Sequence, residues 1–212
     1  MRSLGLETVG EYEKPVRDAV CRAVRAGDVV WDVGANRGVY TSLLSELVGP
    51  HGRVIAIEPE AANVETLEGS TWPFPNVAVL KMAMADFEGE SRLKVAESDS
   101  TGRTHRLTVD QADEGSTQSV RVTSGDALVA THVSPVPHFI KLDVEGAEAQ
   151  ALIGCSGLLG DNQLRGLLVE VHFGLLASRG DVFGPARIES FLREKGFDTI
   201  WVDRSHLLAN RN

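Results

Sequence analysis

The chain reads as a single α/β domain over residues 1–212, built on a doubly wound, mostly parallel sheet with an antiparallel hairpin at its C-terminal edge. Three observations lead there. Short apolar runs alternate with helical periods along most of the chain. The connections between the first runs are long enough for parallel crossovers. A glycine-bearing turn, Asp32-Val33-Gly34-Ala35-Asn36-Arg37-Gly38, joins the first buried run to a helix. At 212 residues, with 42 % apolar and 24 % charged residues, the chain is large enough for one sizeable core and ordinary in composition.

The elements follow in order. Val9, Tyr12, Val16, Val20 and Val24 recur at steps of three or four, which predicts an N-terminal helical cap over 6–26 ending near Gly27. Asp28–Val33 is a buried strand and Val39–Leu47 a helix. Gly49-Pro50-His51-Gly52 is a turn. Arg53–Glu58 is a second strand, Ala61–Leu67 a helix and Val77–Met82 a third strand. Ser91–Ala96 alternates loosely and Ser119–Thr123 returns to strand character. Between them, residues 97–117 are rich in Ser, Thr, Asp and Gly, as expected of an inserted lid or binding loop. Gly125–Ala130 is a short helix, His138–Val144 a strand, Gly146–Ile153 a helix and Gly166–His172 a strand. Pro185–Lys195 is a helix capped by Gly196, and Thr199–Val202 with Ser205–Leu208 form the last hairpin.

The first turn carries the most chemical information. Glycine permits close backbone approach, and the helix that follows offers unpaired N–H groups and positive partial charge. The dinucleotide fingerprint fails, because Asn36 and Val39 stand where its second and third glycines belong. The phosphate-loop ending is also missing. What remains, Asp32-x-Gly34-x-Asn36-x-Gly38, resembles the first motif of S-adenosylmethionine-dependent methyltransferases. That resemblance implies polar contacts to the amino-acid end of this cofactor.

In an open parallel sheet, ligands bind beyond the carboxyl ends of the strands. Each such end here carries an acid: Asp32, Glu58, Asp86, Asp143 and Glu170. One acid alone reads as a helix cap; five in register with a glycine turn point to a site. Glu58 follows Gly34 by 24 residues, a spacing that suits a carboxylate on a ribose diol. Asp86 is expected at the adenine edge, where an exocyclic amine wants an acceptor.

The whole chain is similar to the FkbM-like methyltransferase family. The matching segments are Asp-Val-Gly-Ala-Asn-Arg-Gly (32–38), Ala-Ile-Glu-Pro (56–59), Ala-Met-Ala-Asp (83–86), Lys-Leu-Asp-Val-Glu-Gly-Ala-Glu (141–148) and Val-Glu-Val-His (169–172). The resemblance implies a Rossmann-like class I fold and methyl transfer to a hydroxyl of a sugar or small-molecule natural product. An alcohol needs a base, and Asp143 and His172 are the candidates at strand ends near the methyl. Glu170, two residues before His172 on the same strand face, is placed to orient the imidazole. Alternatively, Lys141 and Glu170 pair between neighbouring strands, and Glu148 is simply a first-turn acid. Tyr12 and Glu13 are placed over the cofactor by the resemblance, or on a helix surface. Arg103, His105 and Arg106 read as loop-solvating charges. Trp31 and Trp201 read as packing.

Other features narrow the class. A formal net charge of −9 disfavours nucleic acid as partner. Cys21 and Cys155 form no metal or redox spacing and read as reduced, buried thiols. Neither a signal-peptide core nor a membrane span is evident, so no membrane partner and a cytoplasmic setting are expected. No adjacent acid pair follows the fourth strand, since Val144 succeeds Asp143, so a magnesium ion between Asp143 and Glu170 is the less favoured reading and no metal is expected. The rival functions are a non-catalytic binder of an adenosine cofactor and a nicotinamide-dependent oxidoreductase. The second lacks both the glycine pattern and a Tyr-x-x-x-Lys.

Overall fold

The structure is a computed structural model that describes residues 13–95, 105–108, 117–178 and 180–211. Tyr12 and Arg103, the side chains of His105 and Arg106, and much of the 97–117 segment lie outside the described residues.

The chain opens with helix α1 (Lys14–Ala23), started by Pro15, whose fixed φ suits a first helical turn. Strand β1 (Val29–Val33) leads through the glycine turn to α2 (Val39–Val48), followed by β2 (Arg53–Ile57), α3 (Ala61–Thr71) and β3 (Val77–Leu80). Strands β4 (Ala83–Met84), β5 (Gly89–Val95), β6 (His105–Thr108) and β7 (Thr117–Thr123) come next, then α4 (Gly125–Ala130). Strand β8 (Phe139–Leu142), α5 (Glu148–Ile153), β9 (Gly166–Glu170), α6 (Phe173–Ser178) and α7 (Gly184–Glu194) precede the final hairpin of β10 (Asp198–Trp201) and β11 (His206–Asn210).

Seven strands form one sheet in the order β10-β11-β9-β8-β1-β2-β3. The five from β9 to β3 are parallel, and β11 runs antiparallel to both β9 and β10. The expected doubly wound sheet with an antiparallel C-terminal edge is therefore the observed one. The chain leaves β1 toward β2 on one side and returns at β8 on the other. That reversal puts the crevice for a ligand between the carboxyl ends of β1 and β8.

Strand alternation sorts the core. Val30, Val54, Phe139 and Leu168 face α1 and α2, packing with Val16, Val20, Leu44 and Val48. Trp31, Ile55, Ile140, Leu167 and Val169 face the other way, against Leu128, Leu152, Ile188 and Leu192. Trp31 is fully buried, and its indole N–H donates to Ser134 Oγ at 2.8 Å, a packing role. Cys155 is buried, its thiol pushed up to about 12 by that burial, whereas Cys21 is only half-buried; both are free.

The middle of the chain, expected as two separate strand-like stretches around a loop, holds a sheet of its own. Strands β4, β7, β5 and β6 form a second sheet in that order. Its small core comprises Ala83, Ala85, Leu93, Val120 and Val122. The inserted segment thus contributes β6 to a sheet whose other strands flank it in sequence. Among the described residues no helix is long and apolar enough to cross a membrane.

Candidate functional site

An open cleft of about 570 Å³, solvent included, lies at the β1/β8 reversal. Gly34, Asn36, Glu58, Asn63, Met82, Met84, Leu93, Asp143 and Glu145 are among the residues lining it. The first turn presses directly on the fourth parallel strand. Gly34 has φ +77°, and a Cβ there would stand 1.7 Å from the Asp143 carbonyl oxygen. Glycine is required at this point by both backbone angle and space. Gly38 has φ +88°, and its missing Cβ makes room for Leu67 and Ser70 of α3, so its role is to seat helix against turn.

Glu58 closes the turn from the side. Its Oε2 accepts from the Asn36 N–H at 2.9 Å and its Oε1 from the Glu60 N–H at 3.0 Å. Burial pushes its carboxyl above the usual range, and those two amides work against the shift. Asp32 sits beneath the turn and does not line the cleft. It is fully buried; Oδ2 accepts from the Thr41 hydroxyl at 2.6 Å and Oδ1 stands 3.7 Å from Lys141 Nζ. The register that pairs Asp32 with Lys141 across β1 and β8 produces this contact.

Asp86 falls away from the cleft. Strand β3 ends at Leu80, and Ala83–Met84 leaves the main sheet to pair with β7, so Asp86 is carried outward and exposed. Met82, Ala83, Met84 and Leu93 form the cleft wall that the sequence assigned to an acid.

The other candidates converge. Asp143 Oδ1, Glu145 Oε2 and His172 Nε2 lie together, with His172 Nε2 at 3.7 Å from Asp143 and 3.5 Å from Glu145. Glu145 has φ +51° and Gly146 φ +89°, a left-handed turn that swings the Glu145 carboxylate toward the imidazole. Glu148 holds that imidazole. It is fully buried, and its Oε1 accepts from the Gly146 N–H and meets His172 Nδ1, both at 2.7 Å. The expectation that Glu170 orients His172 gives way to this arrangement. Glu170 Oε2 instead faces His206 Nε2 at 3.3 Å, because β11 sets His206 opposite Glu170. Nor does Lys141 pair with Glu170; its nearest anion is Asp143 Oδ2, at 3.1 Å.

Electrostatics follow from this packing. Burial alone would lower the His172 pKa, but Glu148, Asp143 and Glu145 raise it to about 9. Burial likewise raises the Asp143 carboxyl, opposed by Lys141. Burial would raise Glu170 too, but the hydrogen bond and charge of His206 hold it at about 2. Sequence reasoning gave Glu148 no more than a helix-terminal role. The only hint of its function in the sequence is a further acid five residues after Asp143; its partner lies 24 residues on. Glu13 accepts from the Tyr40 hydroxyl at 3.2 Å, and Lys141 lies over the Tyr40 ring at 5.1 Å, so this end of α1 reaches the rim of the charged cluster.

The family model described as the methyltransferase FkbM domain matches residues 32–199. The chain belongs to the FkbM methyltransferase family. It is 29 % identical over 149 residues to the hexuronic acid methyltransferase AglP of Haloferax volcanii, an alignment that covers 70 % of this chain and 57 % of that protein. The chain thus spans little more than half of that curated relative. A crystal structure of methyltransferase FkbM from Methylobacillus flagellatus superposes with a TM-score of 0.60 at 14 % identity, covering 91 % of this chain and 50 % of that one. Aeropyrum pernix fibrillarin with natively bound S-adenosyl-L-methionine superposes at 0.51 and 14 % identity, covering 88 % and 67 %. These likenesses establish the class I methyltransferase fold that the FkbM resemblance implied.

Proposed function

We propose that this FkbM-family chain transfers a methyl group from S-adenosylmethionine to a hydroxyl of a sugar or similar small molecule. The observation that carries the reading is the Gly34–Asn36 turn, clamped by Glu58 and pressed against Asp143 at the sheet reversal. Its donor set fits the cofactor. Glu58 offers a carboxylate to a ribose diol, the first turn its polar backbone to the amino-acid end, and Met82, Met84 and Leu93 an apolar wall to the adenine. Asp32 and Gly38 support the turn from beneath and behind. The sugar acceptor is argued from the similarity to a hexuronic acid methyltransferase.

Bound in this cleft, the sulfonium supplies a methyl already activated for transfer. The protein's share is alignment and proton removal. Asp143, at the cleft wall with its pKa raised by burial, takes the acceptor's proton as the oxygen–methyl bond forms and the carbon–sulfur bond breaks. His172, charged near neutral pH and fixed by Glu148, balances the carboxylates around it; Glu170, held by His206, fixes the field on the far side. Titration calorimetry with S-adenosylhomocysteine and, separately, NAD tests the cofactor. The homocysteine nucleoside should bind, and Glu58→Ala should weaken it about tenfold or more, the loss of a charge-assisted contact. NAD binding alone would overturn the reading. Homocysteine-nucleoside binding with no methylated product from a panel of glycosides would leave a non-catalytic binder.

A further inference from the structure

Three donors gather at the carboxyl ends of β8 and β9. One ligand atom from each of Asp143, Glu170 and His172 lies within 4.8 Å of the other two. Ligands of one ion with bonds of about 2.1–2.5 Å stand about 3–5 Å apart. Val144 rather than a second acid follows Asp143, and the fold brings the His172 imidazole beside Asp143 instead.

Each donor is also anchored from outside. His172 Nδ1 is held by the buried Glu148, leaving Nε2 facing the centre. Asp143 Oδ2 is held by Lys141 at 3.1 Å, while Oδ1 faces His172. Glu170 Oε2 is held by His206, whose Nδ1 meets Asp203 at 3.0 Å. One oxygen or nitrogen held by an outer partner and the other left facing inward is how protein metal ligands are oriented, with a carboxylate behind the histidine. Charge agrees. Lys141 is offset by the fully buried Asp32 and His206 by Asp203. That leaves Asp143, Glu145, Glu148 and Glu170 around a single imidazole.

We propose that Asp143, Glu170 and His172 form a binding site for one divalent first-row transition ion, with Glu148 as the residue that orients the histidine. A mixed imidazole and carboxylate set favours such an ion over magnesium, which prefers oxygen alone. The position, beside the cleft wall at Asp143, lets the ion hold an acceptor hydroxyl next to the donor methyl. Ion binding itself goes beyond the methyl-transfer reading and does not depend on it; a bound ion would engage Asp143 Oδ1 and replace its part in activating the acceptor hydroxyl.

The test is titration of the chelator-stripped protein with Mn²⁺ alone, followed by electron paramagnetic resonance. We expect one saturable Mn²⁺ per chain, nitrogen coupling from an imidazole in its pulsed spectrum, and little displacement by equimolar Mg²⁺. His172→Gln should abolish the nitrogen coupling, and Asp143→Asn and Glu170→Gln should each weaken binding at least tenfold. Glu148→Gln should weaken it about 10–100-fold while keeping the coupling. Parallel titration with S-adenosylhomocysteine shows that each variant is folded and keeps the two readings apart. Mn²⁺ binding without nucleoside binding would sink only the methyl-donor reading. A folded, nucleoside-binding protein that takes up no Mn²⁺, or whose Mn²⁺ ignores His172→Gln and Asp143→Asn, would overturn the metal site.

Discussion

Single residues in this cleft answer to backbone geometry before they answer to chemistry. Gly34 and Gly196 share a left-handed φ, +77° and +88°, but their surroundings differ. A Cβ at Gly34 runs into the Asp143 carbonyl, and one at Gly196 meets nothing within 4 Å. Gly196→Ala should therefore cost only the left-handed strain, about 1–2 kcal/mol. Gly34→Ala must also separate the first turn from β8, so a loss of roughly 4 kcal/mol or more is expected. Urea unfolding of the two variants side by side checks this; equal losses would mean that the turn does not bear on Asp143. Gly34 was readable from the sequence because a turn between strand and helix demands such a residue. Its neighbour across the gap was not, since which strand lies beside β1 is a property of the fold. The same holds for Lys141, whose contact with Asp32 comes from strand register, and for Glu148, whose partner lies just past the end of β9.

At the scale of elements, periodicity located nearly every strand and helix, and the misses have a common cause. Short elements carry too few residues for a period to show. Strand β4 has two residues and leaves no period after the expected third strand at Val77–Met82, so Asp86 is expected at that strand's end, whereas β4 joins β7 instead. Helix α6, the six residues that directly follow His172, escapes the sequence pattern for the same reason. The second sheet also shows how strands outside the main sheet bear on the site. Leu93 of β5 is 2 % exposed, packs against Ala83, Val120 and Val122, and lines the cleft beside Met84. Leu93→Ala should cost about 2–4 kcal/mol by cavity formation. It should also weaken S-adenosylhomocysteine binding several-fold, although residue 93 is far in sequence from the first turn. Thermal melting and calorimetry on one preparation measure both. Destabilisation with unchanged nucleoside affinity would separate this sheet from the adenine wall.

Across the whole molecule, a parallel sheet sends all its strand ends to one side, and in this chain those ends carry acids. The consequence is a protein of net charge −9 whose carboxylates crowd around one imidazole. Composition announced the excess of acid, but only the topology says where it gathers. That gathering makes stability depend on pH in a direction that can be worked out. His172 is raised from an ordinary 6.5 to about 9 in the folded chain, so the folded state holds this proton more tightly than the unfolded one. Its contribution is fully present below pH ~6.5, declines as pH rises, and is gone above ~9, with an upper bound of about 3 kcal/mol. Asp143 and Glu145, raised by burial, act with the same sign at lower pH. In metal-free buffer with chelator present, the stability gap between the wild type and His172→Gln should therefore be constant up to pH ~6.5 and shrink steadily to pH ~9. Urea midpoints taken every half unit from pH 5 to 10 measure it. A gap that stays level to pH 10 would mean that the carboxylates around His172 do not hold its proton, and that the charge gathered at the strand ends is balanced by something else.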